Sequence, residues 1–365
     1  MILRKFKAKM INKIFYCLNH LYSLIVPSLS RLLAQSPFVL HIRITSKCNL
    51  SCPFCYLKEG LNQEEPDLLS IDEWKKILIS IPRTTIIDIT GAEPFMAKNF
   101  KEFLILLKQM GFKCSVTTNG TVYNDSMIDT IINSSIEYIL ISLDGMNKKH
   151  NELRGSSNAF ERTEEFITLL KSESKRAKKK LIINVKTMLL DENIEEIIPL
   201  IRHCDSKVRP DIITVNLPFQ NNARGGRLFE NDFLSSKYQT GNTFKFTNPS
   251  KVIEVIKDIF NIEKSIKTPI IFKPSISKSS LIEYIKDPSK MSAKNCKLYK
   301  NNVTLYYDGT LTPCDISFKV SNIRELGYDL KKLYIHEDYK KFSNLMKSNN
   351  KACEGCVFSK QVKTS

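Results

Sequence analysis

Acidic residues are missing from the start of this sequence: the first 58 positions contain no aspartate or glutamate but nine lysines and arginines. Over the whole chain the formal net charge is +17. A surface of that sign attracts nucleic acid, anionic lipid or an acidic electron-transfer protein, and charge alone does not distinguish among them. Because aromatic residues do not alternate with basic ones and no RNA-binding module is evident, no specific nucleic-acid partner is predicted.

Long apolar runs are also missing. No stretch of about 18 uninterrupted apolar residues occurs, which excludes a predicted transmembrane span. No cleavable signal peptide precedes the cysteines, and seven of the ten cysteines fall into two tight metal-ligand patterns. Both observations argue against a secreted disulfide scaffold. We therefore expect a protein of the reducing cytoplasm.

Residues 2–26 carry a helical pattern in which apolar residues recur every three or four positions until Pro27 breaks the helix. This basic amphipathic helix has two interpretations. It lies on an anionic membrane surface, which places the protein at the inner face of the membrane, or it packs against the open side of the following domain. Residues 1–36 are assigned to this extension. The apolar positions are Leu3, Phe6, Met10, Ile14, Cys17, Leu21 and Leu24.

From about residue 38, short β-rich runs alternate with helical patterns, which is typical of parallel βα units. Six such units are too few to close an eight-stranded TIM barrel, so we predict an α/β fold with a partial (β/α)6 barrel over residues 37–284. Reactive residues are then expected at the C-terminal ends of the strands. The predicted strands are 38–45, 85–90, 113–118, 138–143, 181–188 and 211–217. The predicted helices are 71–81, 99–110, 126–133, 159–173 and 193–203, with another near 251–264.

Three cysteines follow the first predicted strand: Cys48, Cys52 and Cys55 are separated by three and two residues. This spacing wraps one cubane and supplies ligands for three irons of a [4Fe–4S] cluster, leaving the fourth iron open. A stable electron-transfer cluster takes four cysteines, and a structural zinc site also takes four ligands. No fourth ligand stands at a familiar spacing. The triplet therefore favours a catalytic cluster, with zinc as the alternative.

Small and polar residues end the next three predicted strands, where a barrel places its reactive groups. Small residues let the backbone approach a ligand, while a carboxylate there can accept a hydrogen bond from an ammonium group. A forked guanidinium further along suits a carboxylate ligand. These residues are Gly91, Ala92, Glu93 and Pro94, then Thr118, Asn119 and Gly120, then Ser142, Leu143, Asp144 and Gly145, followed by Arg154.

With these motifs the sequence resembles the radical SAM superfamily over residues 38 to about 218. The CxxxCxΦC signature is met with Phe54 as the aromatic residue, and residues 91–94 resemble the family's GGEP motif with Ala92 in place of the second glycine. The resemblance implies that S-adenosylmethionine (SAM) chelates the open iron and is cleaved to a 5′-deoxyadenosyl radical, with an electron from a donor such as ferredoxin or flavodoxin. It also implies SAM contacts from Phe54, Gly91, Ala92, Glu93, Pro94, Asn119, Ser142, Asp144 and Arg154, of which the arginine pairs with the SAM carboxylate.

A second set of cysteines lies near the C-terminus and comprises Cys296, Cys314, Cys353 and Cys356. Four thiolates close a [4Fe–4S] cluster completely, and they also suit tetrahedral zinc. The Gly-x4-Cys stretch that ends at Cys314 and the closing Cys-x2-Cys pair resemble SPASM and twitch extensions, with one auxiliary cluster as in a twitch module. The resemblance assigns residues 285–365 to such a small α+β module.

Asp315 directly follows Cys314. In the sulfatase-maturating branch of the family, an aspartate in this Pro-Cys-Asp context is the base proposed to deprotonate the substrate radical. The resemblance therefore implies a catalytic role for Asp315. The alternative is a turn residue that accepts backbone hydrogen bonds beside the cluster hairpin.

Together these features predict a radical SAM oxidoreductase that abstracts a substrate hydrogen atom and completes a two-electron oxidation through the auxiliary cluster. One auxiliary cluster and a basic N-terminus favour a small-molecule or membrane-linked substrate, such as a lipid-linked one. A peptide or protein maturase of the SPASM type is the closest alternative. An RNA-modifying radical SAM enzyme is a weaker alternative, and a purely structural iron–sulfur or zinc protein is the last.

Overall fold

A computed structural model describes residues 36–55, 57–218, 246–287, 298–314 and 319–347. The amphipathic helix predicted at residues 2–26 lies outside these ranges. So do Cys296, Asp315, Cys353 and Cys356. Among the described residues, no helix is long and apolar enough to cross a bilayer.

The secondary structure follows the predicted alternation of strands and helices. The strands are β1 (Val39–Arg43), β2 (Ile86–Thr90), β3 (Cys114–Thr118), β4 (Ile136–Ser142), β5 (Ile182–Met188), β6 (Ile212–Asn216), β7 (Ile270–Lys273), β8 (Asn302–Tyr306), β9 (Thr310–Thr312) and β10 (Ser321–Asn322). The helices are α1 (Ile71–Ile79), α2 (Phe100–Gln109), α3 (Asp125–Asn133), α4 (Asn147–Arg154), α5 (Ala159–Arg176), α6 (Ile197–His203), α7 (Pro249–Ile262), α8 (Lys278–Lys286), α9 (Leu298–Asn301) and α10 (Glu337–Lys347). All six predicted strands are present, whereas β7 and α8 were not predicted.

One sheet contains all the described strands, in the order β10-β9-β8-β1-β2-β3-β4-β5-β6-β7. Strands β1 to β7 are parallel neighbours in chain order, which is the arrangement of a TIM barrel. Within the described part of the chain, β7 does not pair with β10, so the sheet stays open. The predicted partial barrel is thus confirmed, with a seventh parallel strand.

The C-terminal strands extend the barrel sheet. Strand β8 pairs parallel to β1, and β9 returns antiparallel to β8 through a turn at Gly309, whose φ is +87°. This is the hairpin predicted to end at Cys314. On α1, the Glu73 carboxylate accepts hydrogen bonds from Arg324 Nε (2.6 Å) and Tyr328 Oη (3.0 Å). It also accepts from the backbone amide of Ser70, the residue that caps the start of the helix. These contacts fasten the residues after β10 to the barrel.

The two faces of the parallel sheet differ in polarity. One face carries fully buried side chains such as Ile42, Ile89 and Val185, which belong to the hydrophobic core. The other face, called the inner face below, is polar. On it, His41 Nδ1 lies 2.8 Å from Asp88 Oδ2, and Ser115 Oγ donates to Asp88 Oδ1 at 2.5 Å. Because residues alternate along a strand, the apolar set faces the helices and the polar set faces the barrel interior.

Candidate active site

The loop after β1 carries Cys48, Cys52 and Cys55 at the C-terminal edge of the sheet, where a barrel places its reactive residues. Backbone contacts hold this loop in shape. The Cys48 amide donates to Asn62 Oδ1 at 2.9 Å, and the Cys55 amide donates to the Cys52 carbonyl at 3.1 Å. Hydrogen bonds therefore fix the conformation of the cysteine loop.

Gly155, at the end of α4, packs directly against the cysteine loop. Its φ is +63°, and an added Cβ would lie 2.3 Å from Ser51 Oγ and 3.2 Å from the Ser51 carbonyl oxygen. The Ser51 amide also donates to the Arg154 carbonyl at 3.3 Å. Only glycine satisfies both the left-handed backbone and the close approach. The Leu-Arg-Gly stretch thus positions the cysteines as well as its own arginine.

Asn119, which is predicted to contact SAM, forms hydrogen bonds with the cysteine loop and with Thr121. Its Nδ2 donates to Asn49 Oδ1 at 2.9 Å, and its Oδ1 accepts from the amide (2.8 Å) and hydroxyl (2.7 Å) of Thr121. Asn49 Nδ2 in turn donates to Thr121 Oγ1 at 2.8 Å. The side chain of Asn119 therefore ties the end of β3 to the cysteine loop.

The cysteine thiols are shielded from water, so they ionise only when a positive charge lies close to them. Burial raises the pKa of Cys48 to about 11 and raises that of Cys55 above its usual value. A guanidinium nitrogen of Arg154 lies 3.7 Å from Cys52 Sγ, and the Arg154 guanidinium carbon stands 5.6 Å from the Phe54 ring centroid. Thiolates are the ligands of an iron–sulfur cluster, whose irons supply the missing positive charge. The donor set fits such a cluster.

The described residues contain no group of three His, Cys, Asp or Glu side chains gathered closely enough to hold one metal ion. A cubane places each cysteine on a different iron, so its three sulfurs stand apart from one another. A zinc ion needs its ligands around one point. The two kinds of site therefore require different spacings of the three sulfurs.

Glu93 is fully buried at the end of β2. Its carboxylate accepts from Thr118 Oγ1 at 2.7 Å, from the Asn119 amide at 2.7 Å and from the Phe95 amide at 3.2 Å. Burial raises the pKa of Glu93 to about 7 despite these hydrogen bonds. A cation that binds beside Glu93 would restore its charge, which suits the ammonium group predicted to contact it.

Asp144 and Arg154 form a buried ion pair, with side chains 1% and 12% exposed. Asp144 Oδ1 also accepts from the Met188 amide at 2.6 Å, and the Asp144 amide donates to His150 Nδ1 at 2.9 Å. Burial lowers the pKa of His150 to about 2, so its ring stays neutral and accepts that bond. A paired and hydrogen-bonded carboxylate fixes the guanidinium beside the cysteines.

The other predicted site residues occupy the same edge of the sheet. Gly91 has φ +128° and would bring a Cβ within 3.3 Å of Arg43 Cα and the Thr45 carbonyl oxygen. Ala92 is half-buried and Pro94 is buried. Ser142 is half-buried and pairs in register with Lys186 on β5. Cys314 is half-buried just beyond β9, while its three predicted partner cysteines and Asp315 lie outside the described residues.

Several residues that hold the site were not predicted. Asn49 and His150 are two of them. The third, Asn193, is fully buried, and its Nδ2 donates to the carbonyls of Asp144 (2.7 Å) and Met188 (2.8 Å). No spacing in the sequence marks these three. Lys186 was also missed, although its alternation with Val185 and Thr187 marks an inward position.

Comparison with known proteins agrees with this geometry. Residues 42–204 match the family model of the Radical SAM superfamily. The chain carries a radical SAM domain. The predicted enzyme class is thereby confirmed, as is the use by this superfamily of SAM and a [4Fe–4S] cluster.

Two relatives illustrate the range of the superfamily. The sporulation killing factor maturation protein SkfB of Bacillus subtilis is 26% identical over 170 residues, which are 46% of this chain and 40% of SkfB. The GTP 3',8-cyclase of Synechocystis is 24% identical over 294 residues, which are 79% of this chain and 82% of the cyclase. The chain thus aligns with less than half of SkfB but with most of the cyclase.

The fold is shared with a solved radical SAM structure. Streptococcus suis SuiB bound to S-adenosylmethionine superposes with a TM-score of 0.61 and 17% identity, over 89% of this chain and 74% of SuiB. At this identity the similarity concerns the fold alone. It supports the partial barrel found here.

Proposed function

We propose that this radical SAM enzyme is an oxidoreductase that cleaves SAM reductively and abstracts a hydrogen atom from its substrate. The observation that carries the proposal is the cysteine loop, in which Cys52 Sγ lies 3.7 Å from a guanidinium nitrogen of Arg154. Gly155 and Asn119 hold this loop in place. When bound, the cluster and SAM supply a 5′-deoxyadenosyl radical. Cys48, Cys52 and Cys55 would hold that cluster.

The chain's own residues would bind and orient SAM. Glu93, kept from water and already accepting hydrogen bonds from β3, would accept from the SAM ammonium. Arg154, fixed by Asp144, would pair with the SAM carboxylate, while Ser142 offers a hydroxyl from β4. Gly91, Ala92 and Pro94 would give the backbone its close approach, and Phe54 would pack beside the cysteines. Asn119 would contact SAM and would also hold the cysteine loop in position through Asn49.

For the second cysteine set we propose an auxiliary [4Fe–4S] cluster held by Cys296, Cys314, Cys353 and Cys356, with Asp315 as the base beside it. Such a cluster, fully ligated by protein, is suited to accept an electron during a two-electron oxidation. Residues 285–365 would form this module after a barrel domain at 37–284 and an extension at 1–36. A low-potential donor such as ferredoxin or flavodoxin would supply the first electron.

A small-molecule or membrane-linked substrate is the first candidate, with peripheral contact of residues 2–26 at the membrane in the second case. The match to a GTP cyclase over 79% of the chain supports the small-molecule candidate. Peptide or protein maturation is the second candidate, because SkfB is a maturation protein by name. Its match covers 46% of the chain.

The test uses the full chain, purified without oxygen and reconstituted with iron and sulfide. We expect about eight irons per chain for two cubanes, and formation of 5′-deoxyadenosine after reduction by dithionite in the presence of SAM. Cys114→Ser, on the buried thiol at the start of β3, is the matched control and should behave as wild type. A fully loaded protein that holds zinc, or that leaves SAM intact with every candidate substrate class, would refute the proposal.

A further inference from the structure

Two lysines stand on the inner face of the barrel, near the C-terminal ends of β5 and β7. Lys186 shares its face with Asn184, whose Nδ2 donates to Thr214 Oγ1 on the neighbouring strand β6 at 2.8 Å. Lys273 pairs in register with Asn216, which is two residues beyond Thr214 on β6 and so on the same face. The two lysines therefore lie on the same inner face, on either side of β6, with Lys186 half-buried and Lys273 exposed at the end of its strand.

No described residue forms a hydrogen bond or an ion pair with either ammonium group. The carboxylates in electrostatic reach of Lys186, Asp144 and Asp88, are both engaged. Asp144 is paired with Arg154 and accepts from the Met188 amide, while Asp88 holds His41 and Ser115. Asp88 acts electrostatically on both lysines, but among the described residues neither ammonium group is directly paired with a carboxylate.

Two further observations point to a ligand. Asn216, between the two lysines on β6, is 9% exposed, and its buried Oδ1 has no hydrogen-bond partner among the described residues. Burial and repulsion from Lys273 lower the pKa of Lys186 to about 8. A polar cluster left unsatisfied costs stability, and such clusters persist where function requires them.

We propose that Lys186 and Lys273 bind the anionic group, a carboxylate or a phosphate, of the molecule from which the enzyme abstracts hydrogen. The inference rests on the proposed function, because it places this group beside the SAM site: Lys186 pairs in register with Ser142 on β4. Arg154 serves the cofactor carboxylate, and the lysine pair lies on the next strands. The unpaired Asn216 Oδ1 would accept a hydrogen bond from a hydroxyl or N–H group of the same molecule.

The test is calorimetric titration of the reconstituted, SAM-saturated full chain with inorganic phosphate and, separately, with acetate at constant ionic strength. We expect one saturable site for at least one probe, weakened about 10- to 100-fold in Lys186→Met and in Lys273→Met, since each removes a charged donor. Binding of phosphate alone indicates a phosphorylated substrate, and binding of acetate alone indicates a carboxylate. Lys186→Arg, which keeps the charge, should bind within a few-fold of wild type.

The matched control is Lys180→Met, which removes one charge from an exposed lysine at the opposite end of β5. It should bind both probes as wild type does. A second readout is thermal unfolding: Lys186→Met should raise the midpoint by about 1–3 °C, because it removes a repelled, half-buried cation.

The titration is repeated without SAM. The inference is overturned if neither probe binds, if Lys180→Met weakens binding as much as Lys186→Met, or if a probe binds only when SAM is left out. Competition would assign the lysines to the cofactor. Failure of the proposed function has a separate signature, because SAM would then stay intact under reduction while the probe still binds.

Discussion

At the C-terminal ends of the parallel strands, the inner face of the barrel has two halves that differ in how their charged groups are paired. At the ends of β1 to β4, the buried carboxylates are paired: Glu93 accepts three hydrogen bonds, and Asp144 is paired with Arg154. Arg154 Nε and His150 Nε2 are buried there without a hydrogen-bond partner among the described residues. At the ends of β5 to β7, Lys186 and Lys273 have no such partner among the described residues. The first half is preorganised for a ligand whose shape never changes, which suits a cofactor. The second half is left unsatisfied, which suits a substrate that differs from one relative to another.

The largest effect is expected at the cysteine loop. Replacing Cys48, Cys52 or Cys55 singly by alanine removes a cluster ligand, and we expect loss of SAM cleavage together with about four irons per chain. Iron analysis and 5′-deoxyadenosine assays measure both. An alanine variant that keeps its full iron content would show that the triplet does not hold a cluster.

The buried ion pair should give the next largest effect. Arg154→Met leaves Asp144 charged and buried without its partner, which should cost about 3–5 kcal/mol of unfolding free energy in urea titrations. Adding Asp144→Asn removes that charge and should recover part of the stability without recovering SAM binding. The control is Arg176→Met, which breaks an ion pair whose arginine is 76% exposed. That change should cost below about 1 kcal/mol of unfolding free energy. If both arginine variants lost the same amount of unfolding free energy, the buried ion pair would not be a preorganised part of the site.

A smaller effect is expected where α4 meets the cysteine loop. Gly155→Ala forces a Cβ to within 2.3 Å of Ser51 Oγ in a left-handed backbone, which should cost about 1–3 kcal/mol and lower cluster content. Adding Ser51→Ala removes the clashing hydroxyl and should restore part of the cluster. Gly60→Ala is the control, because a Cβ added there would have no atom within 4 Å and the φ of Gly60 is not positive. Normal cluster content in Gly155→Ala would rule out the positioning role of Gly155.

An effect of similar size, but dependent on pH, is expected at His150. The pKa of His150 is lowered to about 2 in the folded protein, so below pH 6.5 the unfolded chain binds a proton that the folded chain does not. His150 therefore makes the protein lose stability as pH falls below 6.5, by about 1.4 kcal/mol per pH unit. His150→Asn keeps an acceptor for the Asp144 amide but does not titrate, so its unfolding free energy should fall less between pH 6.5 and 4.5. If the unfolding free energies of the two proteins fell in parallel with pH, the claim that the His150 ring is buried and neutral would be contradicted.

The fold followed from the sequence because local periodicity specifies each βα unit. Strand β7 was missed because it has only four residues between lysine- and serine-rich segments, too few for a period to show. The pairing of β8 with β1 was missed for another reason: it joins residues more than 250 positions apart, and no local pattern encodes such a contact.

The site was predictable to the extent that motifs fix the position of a residue on a strand end. What a side chain contacts was less predictable, as Asn119 shows: its partner is Asn49, and that pairing depends on the conformation of the cysteine loop. Lys186 illustrates the opposite case. Its inward direction was readable from strand alternation, but its lack of a partner depends on Asp144 and Asp88 being engaged elsewhere.

The central claim is that one iron of the cluster held by Cys48, Cys52 and Cys55 is left open for SAM. Its most direct test is the electron paramagnetic resonance spectrum of the dithionite-reduced, reconstituted protein, recorded before and after SAM is added. We predict a [4Fe–4S]⁺ signal that changes with SAM, because a ligand that enters the coordination sphere of one iron alters the electronic structure of the cluster. A reduced cluster whose signal is the same with and without saturating SAM would contradict the claim.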